Sequence, residues 1–248
     1  MEIYQKKRLS SILGVTLASV AVLAVANAAD IYPGPTSTGG IVDWAGFYIG
    51  ANIGGAWAEL NTTDIFGLYG TPAAGFVNDN SGVFGGAQLG YNYQRGNFVI
   101  GPEADLGGMD ISGAKSNLPG FTDSAGSGFY ADITGRIGFA VNPALYLYAK
   151  GGYAYFSGGV SHTDTFIPSV VSTSGLSGWT AGGGAEWKFN PSWSVKVEYL
   201  HFDFGDNTLY DANGVCTPSA CPFKDHFVVD TAKVGINYFV SSIYEPLK

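Results

Sequence analysis

The sequence predicts an all-β fold: eight antiparallel strands, connected up and down, closed into a transmembrane barrel with short turns at one end and four long loops at the other. Three observations carry that expectation. Eight segments alternate in polarity with period two, the mark of a strand with two different faces. Their connections alternate between very short and long. One face of every segment is free of charge, in a chain where only 13% of 248 residues are charged, against roughly 25% in an ordinary soluble domain.

Composition excludes several other classes. Glycine contributes 37 residues and aromatics 15%. A disordered chain is poor in aromatics, and collagen needs a three-residue glycine period. The formal net charge of -8 repels phosphate and argues against nucleic acid as a partner.

The elements follow in order. Lys6, Lys7 and Arg8 precede the apolar run Leu9 to Val25, which ends at the small-x-small triplet Ala26-Asn27-Ala28. This spacing predicts an export signal over residues 1–28, cut after Ala28. Residues 29–41, rich in Pro, Gly, Ser and Thr, read as a flexible lead-in. The barrel is expected over 42–240, with a short tail at 241–248. Its strands are placed at Trp44–Leu60, Ser81–Gln94, Asn97–Met109, Gly128–Val141, Ala144–Gly158, Gly175–Phe189, Ser192–Phe204 and Phe227–Val240. Turn dipeptides at Arg95-Gly96, Asn142-Pro143 and Asn190-Pro191 join them at one end. Long loops at Asn61–Asn80, Asp110–Ser127, Gly159–Ser174 and Gly205–His226 join them at the other.

Parity assigns the faces. Phe47, Ile49 and Ile53 share a face in the first strand, Val83, Leu89 and Tyr91 in the second, Ile133, Ile137 and Phe139 in the fourth, and the other strands repeat the pattern; Ala185 falls on this face in the sixth. The opposite face carries Glu103, Asp105, Asp132, Arg136, Lys150, Glu186, Lys188, Lys196, Glu198 and Lys233, with Asn52, Gln88, Asn92, Thr134, Asn237, Tyr146 and Tyr148. A soluble barrel would turn the apolar face inward, and a membrane barrel turns it outward. Water-exposed surfaces are roughly 25–35% charged, well above what this polar face carries. Five acids and five bases suit instead a closed lumen in which they pair.

Aromatic residues on the apolar face gather at the strand ends. Phe47, Tyr91, Tyr93, Phe98, Phe139, Trp187, Phe189, Trp193 and Tyr238 lie at the short-turn end. Trp57, Phe129, Tyr153, Tyr155, Trp179 and Tyr199 lie at the long-loop end. Two such belts mark the two lipid–water interfaces of a membrane barrel, whose short turns face the periplasm and whose long loops face outward.

Several stretches then resemble a known family. They are Trp44-Ala-Gly-Phe-Tyr-Ile-Gly-Ala-Asn-Ile-Gly-Gly, Gly85-Gly-Ala-Gln-Leu-Gly-Tyr-Asn-Tyr-Gln, Gly135-Arg-Ile-Gly-Phe-Ala, Lys188-Phe-Asn-Pro-Ser-Trp-Ser-Val-Lys-Val-Glu-Tyr and Lys233-Val-Gly-Ile-Asn-Tyr-Phe. In this order and spacing they are similar to the small outer-membrane β-barrels of alpha-proteobacteria, the porin-like opacity and immunogenic outer-membrane protein type, related in architecture to the OmpA barrel. The resemblance covers nearly all of the chain beyond the export signal. It implies an abundant envelope surface protein of a Gram-negative bacterium. It also implies that Lys233-x-Gly-x-x-Tyr238-x-Val240 is the signal read by the barrel-insertion machinery. That signal usually ends on Phe or Trp, and here the chain has Val240 followed by a tail.

Other candidates are local. Cys216 and Cys221, exported and four residues apart, read as a small disulfide that stiffens the last loop. His162, His201 and His226 fall near the outer rim, where they are either solvent-exposed loop residues or, as the resemblance implies for some members, haem ligands. The acidic excess (Asp64, Asp79, Asp110, Asp123, Asp164, Asp206, Asp211, Asp225, Asp230) sits in or beside the long loops, as a solvated surface or a seat for bridging divalent cations. Glu103 and Asp105, like Glu186 and Glu198, share the inner face with opposed bases, which favours structural pairing over catalysis. The chain therefore reads as a non-enzyme without a cofactor or a bound metal. Envelope integrity and surface presentation are its expected role. A narrow porin, or loops that bind haem or a host ligand, are the alternatives. Its expected partners are outer-membrane lipid, lipopolysaccharide, the insertion machinery and a host or small-molecule ligand.

Overall fold

The computed structural model describes residues 43–64, 74–118, 121–164, 169–209 and 223–240. The expected signal, lead-in and tail, with Cys216 and Cys221, lie outside them. Ten strands are described: β1 (Gly46–Asp64), β2 (Ala74–Arg95), β3 (Phe98–Asp110), β4 (Gly113–Leu118), β5 (Phe121–Ala125), β6 (Gly128–Asn142), β7 (Leu145–Asp164), β8 (Ser169–Asn190), β9 (Trp193–Leu209) and β10 (Phe223–Phe239). Eight of them, β1, β2, β3, β6, β7, β8, β9 and β10, pair antiparallel in chain order, and β10 returns to β1. The ring has no edge, as lipid requires, since no water is there to satisfy a free ladder. Val240 N donates to Phe47 O at the seam.

The short turns have a visible cause. Asn142 Oδ1 accepts from the amides of Ala144 and Leu145, and Asn190 Oδ1 accepts from those of Ser192 and Trp193. In both, proline follows the asparagine and contributes no donor of its own. The third turn uses Gly96 at φ +62, a left-handed conformation that costs glycine little.

The strands run further than the alternation suggests. A tilted transmembrane strand needs about 9–11 residues, yet β2 and β8 each have 22. Strand structure occupies much of the segments expected as loops. The segment Asp110–Ser127 holds the β4–β5 hairpin, and β5 pairs with the outer part of β7.

The reason lies in a change of sign along each strand. Below Trp57, outward positions of β1 are apolar (Phe47, Ile49, Ile53) and inward ones include Asn52. Above it, Ala58 and Leu60 turn inward and are buried, while Glu59 and Asn61 take the outward parity. In β9, Val195, Val197 and Tyr199 face outward with Lys196 and Glu198 inside; then Leu200, Phe202 and Phe204 fill the interior while His201 and Asp203 face out. The lower barrel is patterned for lipid and the upper barrel for water. The outer aromatic belt marks the boundary. The lipid-facing parity ends there, and the expected strands reach only a few residues beyond it, to Leu60, Gly158 and Phe204, where β1, β7 and β9 continue to Asp64, Asp164 and Leu209.

Two further expectations are corrected. Ala185 has the outward parity but is only 3% exposed, because it sits in register between the larger Leu147 and Val197. Asp225, grouped with the surface acids of the loops, is 1% exposed, because it follows the inward parity of Phe227 and Val229.

Candidate functional site

The lumen is filled in three layers. The outer layer is apolar and includes Leu60, Phe84, Met109, Ile111, Tyr130, Phe156, Leu176, Leu200, Phe202, Phe204, Phe227 and Val229. The inner layer, at the short-turn end, is Trp44, Tyr48, Val99, Ala140, Tyr146, Tyr148 and Phe239. Between them lies a charged layer. All ten inward charges expected from the sequence are buried, none more than 6% exposed.

Eight of the ten form one continuous set of ion pairs. Glu103 meets Lys150 Nζ at 2.7 Å, Lys196 Nζ at 2.9 Å and Arg136 at 3.3 Å. Arg136 reaches Glu186 at 3.1 Å. Asp105 meets Lys233 at 3.0 Å and Lys150 at 3.1 Å. Glu198 meets Lys233 at 2.9 Å and Lys150 at 3.2 Å. Four carboxylates face four cations, so the set is neutral. Such pairs are tolerated away from water only when the remaining donors and acceptors are also met. Here they are. Tyr48 Oη donates to Glu103 and Tyr148 Oη to Glu198, both at 2.7 Å. Asn237 Nδ2 donates to Glu186 at 2.7 Å, and Asn52 Nδ2 to Asp105 at 3.0 Å.

Arg136 anchors the lower half of this layer. Its Nε and one terminal nitrogen donate to Asn92 Oδ1 at 3.0 and 2.9 Å. Its guanidinium carbon lies 4.5 Å from the Tyr48 ring centroid, 5.2 Å from Tyr148 and 5.4 Å from Tyr146. Charge-assisted bonds and ring faces together replace its hydration. Glycine makes room for this filling: a methyl group on Gly90 would strike the Tyr48 ring.

The remaining two charges stand apart. Lys188 Nζ donates to the Asp43 carbonyl at 2.8 Å and lies 3.7 Å from the Phe239 ring centroid, in the inner layer. Asp132 is buried, and neither carboxylate oxygen has a hydrogen-bond partner among the described residues.

The expected belt residues take the outward face. Phe47, Phe98, Tyr93, Tyr153, Phe129 and Trp179 are each at least half exposed. Trp57, Tyr91, Phe139, Trp193 and Tyr238 are somewhat less so, and Tyr155, Trp187 and Tyr199 are half-buried. Above the belt, His201 Nδ1 lies 2.8 Å from Asp230 Oδ1, which also accepts from Tyr199 Oη at 2.6 Å. Lys224 Nζ lies 2.7 Å from Asp206, and His226 Nδ1 lies 3.1 Å from it. These two histidines are thus engaged by carboxylates on the outer wall rather than gathered around a common site; His162 lies on β7, with its side chain outside the described residues. Sequence reasoning did not single out Tyr48 or the apolar outer layer. The signal for Tyr48 was its parity with Asn52, and the signal for the layer was the inversion after Tyr199.

Comparison with known proteins adds the family. The model of the outer membrane protein beta-barrel domain matches residues 15–217. The chain belongs to this outer-membrane β-barrel family. It is 32% identical to the 31 kDa outer-membrane immunogenic protein of Brucella melitensis, over 90% of this chain and 98% of that one. It is 28% identical to the 25 kDa outer-membrane immunogenic protein of Brucella abortus, over 94% and 99% respectively. Among solved structures it is similar to the outer membrane protein OprG of Pseudomonas aeruginosa, with a TM-score of 0.46 at 12% identity, covering 79% of this chain and 97% of that one. The barrel is an outer-membrane protein of Gram-negative type, and the orientation follows: short turns to the periplasm, long strand extensions to the exterior.

Proposed function

We propose that this protein is a non-conducting structural barrel that stiffens the envelope and holds an ordered platform above it. The filled lumen carries this reading. An ion entering from outside would lose its hydration among Phe84, Phe156, Phe202, Phe204 and Phe227, whose side chains cannot replace it. One that passed would meet a neutral set of mutually satisfied ion pairs, offering no net attraction to either sign. Below, Trp44, Tyr146 and Phe239 close the periplasmic end, with ring centroids 5.4 and 5.9 Å from that of Trp44. Eight strands leave space only for side chains, and here side chains of complementary polarity occupy it.

The same filling makes the wall rigid. Several of the charged pairs tie strands distant in sequence: Lys233 of β10 to Asp105 of β3, Lys196 of β9 to Glu103 of β3. The extension above the membrane inherits that rigidity through continuous strands and its own apolar core.

Planar-bilayer recording tests the reading. The refolded wild-type barrel is expected to add no steady conductance above lipid leak at either polarity. Stable unitary steps from the wild type overturn the proposal and favour a narrow pore.

A further inference from the structure

The lipid-facing wall is uneven. In register across four strands lie Ile53, Gly85, Gly108 and Phe129. The two central positions have no side chain, and Ile53, at 69% exposure, and Phe129, at 51%, stand on either side. Adjacent strands are about 4.8 Å apart, so the gap is two strands wide. It forms a groove of ≈ 650 Å³ lined by Ile53, Val83, Gly85, Gly108, Asp110 and Ser127 among others. At its outer end the lining becomes polar. Ser127 Oγ and Ser112 Oγ donate to Asp110 Oδ1 at 2.6 and 2.7 Å.

Packing explains one glycine and not the other. A methyl group on Gly85 would sit 3.0 Å from the Asn52 carbonyl oxygen. A methyl group on Gly108 would meet nothing within 4 Å. The protein's own contacts therefore leave room for a side chain at Gly108, and the open space points into the membrane.

We propose that this groove seats one acyl chain of an outer-leaflet lipopolysaccharide, with the sugar headgroup at the Asp110 mouth. The groove is continuous with the lipid-facing surface, so its occupant comes from the bilayer. It lies beside Phe129 of the outer belt, which places it in the outer leaflet. The apolar floor matches a hydrocarbon chain. The mouth presents a carboxylate and hydroxyls, which accept hydrogen bonds from the hydroxyl and amide N–H groups of an amino-sugar headgroup. Lipopolysaccharide combines acyl chains with such a sugar headgroup, and a phosphodiester lipid does not.

The open position makes the test direct. Gly108→Phe fills the groove, and Gly108→Leu does so with a smaller group should the aromatic variant fail to fold. Gly135→Phe is the control: Gly135 is another exposed glycine of the lipid face with nothing within 4 Å of an added methyl. Each full chain is produced in outer membranes, extracted in mild detergent, checked for heat-modifiable gel mobility, and weighed by native mass spectrometry for bound lipopolysaccharide and phospholipid. Wild type and Gly135→Phe are expected to retain one lipopolysaccharide. The folded Gly108 variant is expected to retain it about tenfold less, the equivalent of roughly two fewer buried methylenes. Equal retention by the Gly108 variant, phospholipid in place of lipopolysaccharide on the wild type, or no lipid on the wild type overturns the proposal.

Discussion

Asp105 and Asp132 stand directly opposite each other on the β3–β6 ladder, yet only Asp105 reaches a cation. Lys150 and Lys233 both turn to Asp105, and their remaining contacts go to Glu103 and Glu198. A like-charged cross-strand pair is unfavourable, and an uncompensated buried charge more so.

The two aspartates therefore respond differently to the same change. Asp132→Asn removes a carboxylate without breaking an ion pair and is expected to leave stability unchanged or raise it. Asp105→Asn takes one carboxylate from Lys150 and Lys233, which keep Glu103 and Glu198, and leaves the buried set with one positive charge in excess; it is expected to cost about 3–5 kcal/mol. Urea unfolding of the refolded barrel in detergent micelles, followed by tryptophan fluorescence, measures both. Equal losses would contradict this assignment.

Arg136 is the second test of the network. Arg136→Ala leaves Glu103 and Glu186 without their guanidinium and is expected to lose about 3–5 kcal/mol. Removing Glu186 as well should recover part of that loss, because the buried anion goes with it. A double-variant cycle reports the coupling. Arg136→Lys should not restore wild-type stability, since an ammonium cannot reach Asn92 through two nitrogens and lie against three rings together.

The inversion of polarity at the outer belt predicts a sharp change in tolerance along the outward face. Ile133→Lys puts a charge into lipid and is expected to cost about 2–4 kcal/mol. Ser81→Lys, on the same face but level with Trp57 in register, is expected to cost less than about 1 kcal/mol. Folding yield into vesicles, read by gel mobility with and without heating, separates the two.

Much of this was legible in the sequence, and the rest was hidden for a physical reason. Period-two alternation located Val195, Val197 and Tyr199 on one face and Lys196 and Glu198 on the other, because lipid and lumen differ in polarity. Beyond Tyr199 the solvent changes from lipid to water and the interior from charged to apolar. The same alternation continues with the opposite meaning, so Leu200, Phe202 and Phe204 fell inside the expected strand without being assigned to an apolar interior. The identity of the buried charges was readable from parity alone. Their partners were not, since Lys233 and Asp105 meet only once the barrel closes.

The asparagine–proline turns offer a small, additive test. Asn142→Ala and Asn190→Ala each remove a side chain that accepts from two amides, and each is expected to cost about 1 kcal/mol. The turns lie apart, so the double variant should lose the sum to within about 0.5 kcal/mol. Chemical denaturation of the three variants gives the comparison.

At the outer rim, pH gives the last prediction. The ammonium of Lys224, donating to Asp206, holds that carboxyl below the usual carboxylate range, with His226 adding to the effect. A depressed pKa in the folded state contributes stability above the unfolded value of about 3.9 and loses it as pH falls through the folded value. Carbon-detected NMR should show Asp206 titrating below 3.9, and Lys224→Ala should move it back toward that value. No upward movement in the variant would remove Lys224 as the cause.

The continuation of the strands past the membrane also bears on how the cell surface is read by other molecules. At the height of Trp57, Asp230 of β10 lies between Trp57 of β1 and His201 of β9. Trp57 and Asp230 are separated by more than a hundred residues of chain, and Asp230 and His201 by 29. An antibody raised against the folded barrel at this height would recognise a discontinuous epitope. Linear peptides from the sequence would not reproduce it, and denaturation would abolish it.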